Sequence, residues 1–256
     1  MAYKWISING PVVRKIDNVK PTPRYLSRVF TIKVRFKTLE PTAVCSGEVI
    51  AEEESRGRVH YIYKHFVDGG GTPVIPASSV KGCVAFYHRL LVNNANRTAD
   101  LFGAESLASR VSFSNLKPME KIDLIRLKVG RQWPPKKKMI NAVKVYVATN
   151  MYNSGKEDIY IEAIPSNKIL ETNFVVINAD KRDLVELLAS IGFGGQNNRS
   201  IRIGRGKNLG MGKIIVHGRL EIYQGVENQE VDVNQYLSEI EKLFTSEYGR
   251  VKDAYS

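Results

Sequence analysis

The sequence predicts an α+β fold, a ferredoxin-like β-α-β-β-α-β core with insertions. Three observations carry that expectation. Residues 30–36 alternate apolar and polar with period two, the mark of a half-buried strand. Residues 76–92 and 181–191 place apolar side chains at helical spacing. The long segments run in the order strand, helix, strands, strand, helix, strand, which is the split β-α-β order. The 256 residues are ample for a sizeable core.

The elements follow in order. Residues 1–27 hold Pro11, Pro21 and Pro23 and read as an irregular arm. In residues 28–39, Phe30, Ile32, Val34 and Phe36 share one face while Thr31, Lys33, Arg35 and Lys37 give the other a basic character. Residues 40–75 read as loop-rich, with a short strand at 59–63 and a turn at 68–71. Pro76 and Ser78 suit the start of a helix whose apolar stripe is Val80, Val84, Tyr87 and Leu91. Strands are expected at 110–116 and 124–129, then a basic tip at 130–138. Residues 142–149 and 159–164 read as two arms around a loop, and 172–178 as a buried strand. Asp180 caps a helix over 181–191, residues 213–223 form a further strand, and 232–248 form an amphipathic helix. The expected organisation is an arm at 1–27, a domain at 28–223 with insertions at about 40–75 and 117–170, and a C-terminal helical extension at 224–256.

The net charge of +12 and the pI of about 9.6 point to a polyanionic partner, a nucleic acid or an anionic membrane surface. No apolar run is long enough to span a bilayer, and the first residues lack the apolar core of a signal peptide. Cys45 and Cys83 match no zinc or disulfide pattern; they read as buried thiols in a reducing cytosol.

Residues 192–213 concentrate seven glycines, three arginines and two lysines, with no acid. Glycines admit positive φ and close approach of a ligand, and successive N–H groups in such turns form anion-binding concavities. Arg199, Arg202, Arg205, Lys207 and Lys213 add charge, so a phosphate chain suits the segment. A Gly-rich hairpin with solvated charges is the alternative. Ser78, Ser79 and Lys81 form a second phosphate-suited group on the first turn of a helix, where N–H groups are unpaired. An ordinary serine cap is the alternative there.

The motif Ile75-Pro76-Ala77-Ser78-Ser79-Val80-Lys81-Gly82, followed far downstream by Gly204-Arg205-Gly206-Lys207-Asn208-Leu209-Gly210-Met211-Gly212, resembles the RAMP superfamily of CRISPR proteins. Leu101-Phe102-Gly103 with residues 110–116 is similar to that family's intervening motif, and Glu162 and Pro165 stand where its next core strand begins. The resemblance covers about residues 28–223. It implies an RRM-like core that binds CRISPR RNA, most similar to the backbone or end-cap subunits of type III (Csm/Cmr-like) effector complexes in antiviral defence. It nominates Ser78, Ser79, Lys81, Gly204, Arg205, Gly206, Lys207, Asn208 and Gly210 for the guide backbone. It also implies a thumb-like hairpin at 130–138, where Trp133 suits base stacking and Lys136, Lys137 and Lys138 suit phosphates. The implied partners are CRISPR RNA, complementary target RNA and the other RAMP and large subunits, with no membrane.

Target-cleaving members of the family use an acid in the loop after the first strand. Glu48, Glu52, Glu53, Glu54 and Asp68 are available there, and Asp68, before Gly69, is the best placed. It would hold Mg²⁺ or another divalent metal, or position a 2′-hydroxyl; otherwise it is a turn residue. Binding alone requires no cofactor. His65, and behind it His88, offers the acid–base chemistry of a stand-alone endoribonuclease that processes precursor RNA. A structural histidine is the alternative. An RNA-binding protein outside CRISPR systems is the remaining reading.

Overall fold

The computed structural model describes residues 3–9, 28–53, 55, 57–105, 107–129, 141–148, 150–153 and 159–255. The strands and helices run β1 (Tyr3–Ser7), β2 (Phe30–Thr38), β3 (Cys45–Glu53), β4 (Val59–His65), α1 (Ala77–Val92), α2 (Ala95–Phe102), β5 (Val111–Phe113), β6 (Lys117–Pro118), β7 (Ile125–Lys128), β8 (Ala142–Tyr146), β9 (Ile159–Ala163), β10 (Ile169–Val176), α3 (Lys181–Ser190), β11 (Ile201–Arg202), β12 (Lys213–Val216), β13 (Glu221–Gln224), β14 (Gln229–Val231) and α4 (Asn234–Val251).

Within the central sheet four strands run in the order β12-β2-β10-β5, every neighbour antiparallel, with β11 beyond β12. With α1 between β2 and β5, and α3 between β10 and β12, these are the fourth, first, third and second strands of a ferredoxin-like core. The period-two pattern of β2 explains its place. Phe30, Ile32, Val34 and Phe36 are buried in the main core beside Val80, Val84 and Leu91 of α1 and Leu184 and Leu187 of α3. Lys33 and Arg35 point to the opposite face, where both meet Glu171 across the β2–β10 pair, at 3.7 and 2.9 Å. Asp180 caps α3 in a reciprocal capping box with Asp183. From α4, Tyr236, Ile240, Phe244 and Val251 enter the same core as the central sheet.

A second sheet, β3-β4-β9-β7, covers a smaller core of Ala43, Leu127, Val129, Ile161, Ala163 and Met211. Met211 belongs to the Gly-rich segment, so this small core holds that segment in place. A third sheet pairs β1 with β8.

Several elements differ from the sequence pattern. Tyr3–Ser7, expected irregular, is a strand because β8 supplies its hydrogen-bonding edge. Residues 45–53, expected as loop, form β3; five of the nine are polar or glycine and the strand is mostly exposed, so no alternation marks it. Residues 142–146 and 159–163 do not pair with each other: β8 joins β1, while β9 lies between β4 and β7. Helix α2 has eight residues, too few for a clear period, and starts at an Asn94 side-chain cap. The single strand expected at 213–223 is interrupted at positive-φ Gly218 and forms β12 and β13, both along β2. Among the described residues no helix is long and apolar enough to cross a membrane.

Candidate nucleic-acid interface

Two anchors place the first turn of α1. Ile75 exchanges backbone hydrogen bonds with Leu116 at 3.0 and 2.9 Å. The Ala77 N–H donates to Asn115 Oδ1 at 2.9 Å, and the N–H groups of Ser79 and Val80 donate to the Pro76 carbonyl. Pro76 is the cap residue, and neither Ser78 nor Ser79 caps the helix through its side chain.

The Gly-rich segment is zipped onto the chain that follows β2. The Arg205 N–H donates to the Ala43 carbonyl at 2.7 Å and the Gly212 N–H to that of Pro41 at 2.8 Å. Close approach accounts for the glycines. At Gly204, φ is 82° and a Cβ would sit 2.2 Å from the Ala43 oxygen. At Gly212, φ is 84° and a Cβ would sit 2.0 Å from the Ile203 oxygen. Gly206 and Gly210 bracket a short 3-10 turn, Lys207–Leu209, both with left-handed φ. Many of the loop's N–H groups are therefore already engaged: those of Ile203, Leu209, Gly210 and Met211 bond within the segment. The glycines shape the loop, and its outward charge comes from side chains.

The two predicted elements meet. A groove of about 650 Å³ is walled on one side by Ser79, Gly82, Cys83 and Phe86 of α1 and on the other by Gly204, Arg205 and Lys207. Val44, Cys45, Tyr87, Tyr146, Arg202 and Ile203 complete it, and its lining holds no acid. Arg205 is exposed, its guanidinium stacked 4.1 Å over the Tyr63 ring, which holds it at the groove's edge. Burial pushes the Cys83 thiol up to about 12 and raises that of Cys45, so the groove contains no ready nucleophile. The arrangement suits binding of an anionic chain and offers no acid–base pair.

The other nominated residues divide. Ser78 and Lys81 sit on the far side of α1, lining crevices toward α2 and β5. Asn208 is half-buried on the 3-10 turn. Arg202 is among the residues lining the groove, but its charge is already committed to Glu40. The residue is 7 % exposed, and its guanidinium forks onto Glu40 and donates to the carbonyls of Met211 and Ala148 at 3.1 and 2.9 Å. Arg199 is likewise structural: it pairs with Glu241 at 3.1 Å and lies 3.8 Å over Phe244, tying the segment to α4. Trp133, Lys136 and Lys137, with the rest of 130–138, lie outside the described residues.

The catalytic candidates each have partners within the fold. Asp68 Oδ1 accepts from the N–H groups of Gly70 and Thr72 at 3.0 and 3.1 Å, and Oδ2 pairs with Lys117 at 3.0 Å. The Lys117 hydrogen bond, then that from Thr72, holds its carboxyl below the ordinary value. Glu52 forks onto Arg126, and among the described residues no three His, Cys, Asp or Glu side chains gather to hold a metal. Glu54 lies outside the described residues. His65 is 2 % exposed, and its Nδ1 accepts from the Val44 N–H at 3.3 Å. Burial pushes its pKa down to about 4 against the upward pull of Glu162 and the Val74 backbone, so the ring is neutral and shielded from an RNA phosphate. His88 is fully buried between Thr98 Oγ1 at 2.9 Å and Glu186 Oε2 at 3.2 Å.

Gly82, Phe86 and Tyr146 line the groove without having been nominated. Gly82 carried a signal, a glycine inside a helical pattern. Tyr146 carried none, because only the β1–β8 pair brings it there.

The sequence profile of the RAMP superfamily matches residues 35–215. Among solved structures, a cryo-EM structure of the type III-B Cmr-beta bound to cognate target RNA contains a similar chain, with a TM-score of 0.46 and 13% identity. The match covers 77% of this chain and 61% of that one, so this chain spans about three-fifths of that chain's length. Among curated proteins, no sequence matches.

Proposed function

The chain belongs to the RAMP superfamily, and from that premise we propose that it holds the backbone of a CRISPR RNA as one subunit of a type III effector complex in the cytosol. The observation that carries this reading is the convergence of Ser79 and Gly82 with Arg205 and Lys207 on one acid-free groove. A strand lying there meets two cations and a hydroxyl along its phosphates, while the glycine-bearing wall lets the sugar–phosphate chain approach. Recognition through phosphates makes binding salt-sensitive and nearly independent of sequence. Residues 28–223 form the RNA-holding unit in this reading, with 224–256 bracing it. Complementary target RNA and the other RAMP and large subunits are its further partners.

The test is purification with native partners and sequencing of the bound RNA, with affinity for single-stranded RNA measured across salt. Guides with repeat-derived ends support the reading. RNA without such ends, or binding indifferent to Arg205→Ala and Lys207→Ala together, overturns it.

A further inference from the structure

The four-stranded sheet ends at β3, whose outer edge is open. Seven of its nine residues, Cys45–Glu53, are exposed. The strand's irregularity lies between Cys45 and Val49; from Val49 to Glu53 it pairs with β4 in unbroken register. Such an edge offers a row of unpaired N–H and C=O groups to a neighbouring strand. Lysine, proline and bulges are the usual means of closing an edge, and residues 49–53 contain none of them.

One face of the β3–β4 ribbon adds apolar surface beside that edge. The register sets Val49, Ala51 and Glu53 opposite Tyr63, Tyr61 and Val59, and Val49, Val59 and Tyr61 are all exposed. Ala51 is small and stands between Tyr61 and the edge, so a larger side chain beside it reaches the Tyr61 ring. Charge selects what fits. In a chain of net charge +12, β3 carries Glu48, Glu52 and Glu53 and no base. Glu48 and Glu52 alternate with Val49 and Ala51, on the other face. Glu52 also pairs with Arg126 at an exposed position. The carboxylates repel a nucleic acid, and a second copy docking edge to edge would set glutamates against glutamates.

We propose that β3 accepts an added strand from another protein, an extended segment in which lysine or arginine alternates with apolar residues. Its apolar side chains lie over Val49, Ala51 and Tyr61, and its basic side chains meet Glu48 and Glu52. Main-chain hydrogen bonds along the edge supply affinity, and the alternation sets the register. The inference goes beyond the RNA-binding reading and does not rest on it, since of β3 only Cys45 lines the groove.

The test uses the full chain and a fluorescently labelled peptide of alternating lysine and valine, with binding read by anisotropy. That peptide is expected to bind, and one of alternating glutamate and valine is not. N-methylation of every second peptide amide, in each of the two possible sets, separates an added strand from charge attraction. One set is expected to abolish binding and the other to leave it. Glu48→Lys together with Glu52→Lys is expected to weaken the lysine peptide by about ten-fold and to admit the glutamate peptide. Tyr61→Ala is expected to weaken the lysine peptide and leave the affinity for single-stranded RNA unchanged. Absence of lysine-peptide binding overturns the proposal, as do two methylation sets of equal effect or unchanged binding by the folded double variant. So does a Tyr61→Ala protein that loses RNA and keeps the peptide, which would make the face an RNA surface. A chain that sediments as a dimer, and as a monomer with the double substitution, would seat a second copy on β3 and overturn it too.

Discussion

Arg202 and Glu40, 162 residues apart, form a buried fork in which both carboxylate oxygens accept from the guanidinium. Each Nη also donates to a carbonyl, Nη1 to that of Met211 and Nη2 to that of Ala148. This pair ties the middle of the Gly-rich segment to the chain just after β2, the juncture from which one wall of the groove is built. Arg202 lines the groove, yet its guanidinium is spent on holding these neighbours in position.

Removing one partner leaves the other charge buried. Arg202→Ala is expected to destabilise the fold by about 3–5 kcal/mol, and Glu40→Ala by a similar amount. Urea unfolding followed by circular dichroism measures this. An unchanged midpoint in either variant would show that the pair is solvated.

Arg205 and Lys207 are expected to behave in the opposite manner. Each lines the groove, and Arg205 is exposed. Replacement by alanine should leave the unfolding midpoint within about 0.5 kcal/mol of the original. RNA affinity should fall, and each lost phosphate contact should reduce the slope of log K against log salt by about 0.7, the single-strand value. Arg199→Ala should show the reverse pattern, lower stability with an unchanged salt slope, because its charge is committed to Glu241 and Phe244. Equal salt slopes for Arg205→Ala and Arg199→Ala would remove the distinction drawn between them.

The legible parts of the chain are those in which local pattern and tertiary role coincide. β2 alternates because one of its faces is buried against α1 and α3, and α3 carries its cap in Asp180 and Asp183. The two halves of the groove were readable as motifs because backbone constraints, the Pro76 start and the crowded glycines, depend on residue type. Which arginines face outward was not readable. Arg199, Arg202 and Arg205 are spaced three apart in one basic segment, and only Glu241 and Glu40, from distant elements, internalise the first two. β3 and the β1–β8 pair were equally silent, since strands that draw their stability from a partner's edge need no pattern of their own.

Acid is expected to weaken the fold in two stages. His65 has a folded pKa of about 4, below the ordinary 6.5, because burial disfavours its charged form. The unfolded chain therefore binds the proton more readily. Stability falls as pH drops from about 6.5 to 4, by an amount on the order of 3 kcal/mol. Glu186 enters next. Burial raises its pKa, but hydrogen bonds from His88 and Arg182 and the charge of Arg97 outweigh that and hold it at about 2, below the ordinary 4.5. Its contribution is present above pH 4.5 and is lost as pH falls through 2. Thermal melts at stepped pH check both stages. His65→Phe should shrink the first stage and leave the second; what remains of the first belongs to His88, which burial also holds below the ordinary value, and a first stage of unchanged size would take His65 out of it.

Two glycines of the groove should respond to alanine in opposite directions. Gly204 has φ 82°, and the added Cβ would come within 2.2 Å of the Ala43 oxygen, a backbone atom that cannot swing aside. The Ala43–Arg205 bridge must open, and both the left-handed strain and the lost contacts count against the variant, for about 3 kcal/mol or more. RNA affinity should fall with it, because Arg205 moves when the bridge opens. Gly82 lies inside α1, where the new methyl meets nothing within 4 Å. Gly82→Ala should therefore stabilise the fold by about 1 kcal/mol, the helix-propensity difference. Its RNA affinity should nonetheless fall, since the methyl stands on the wall of the groove. Denaturant midpoints and anisotropy on the same preparations read both quantities. A Gly82→Ala protein that is more stable and binds RNA as well as the original would leave this glycine with no role in the groove.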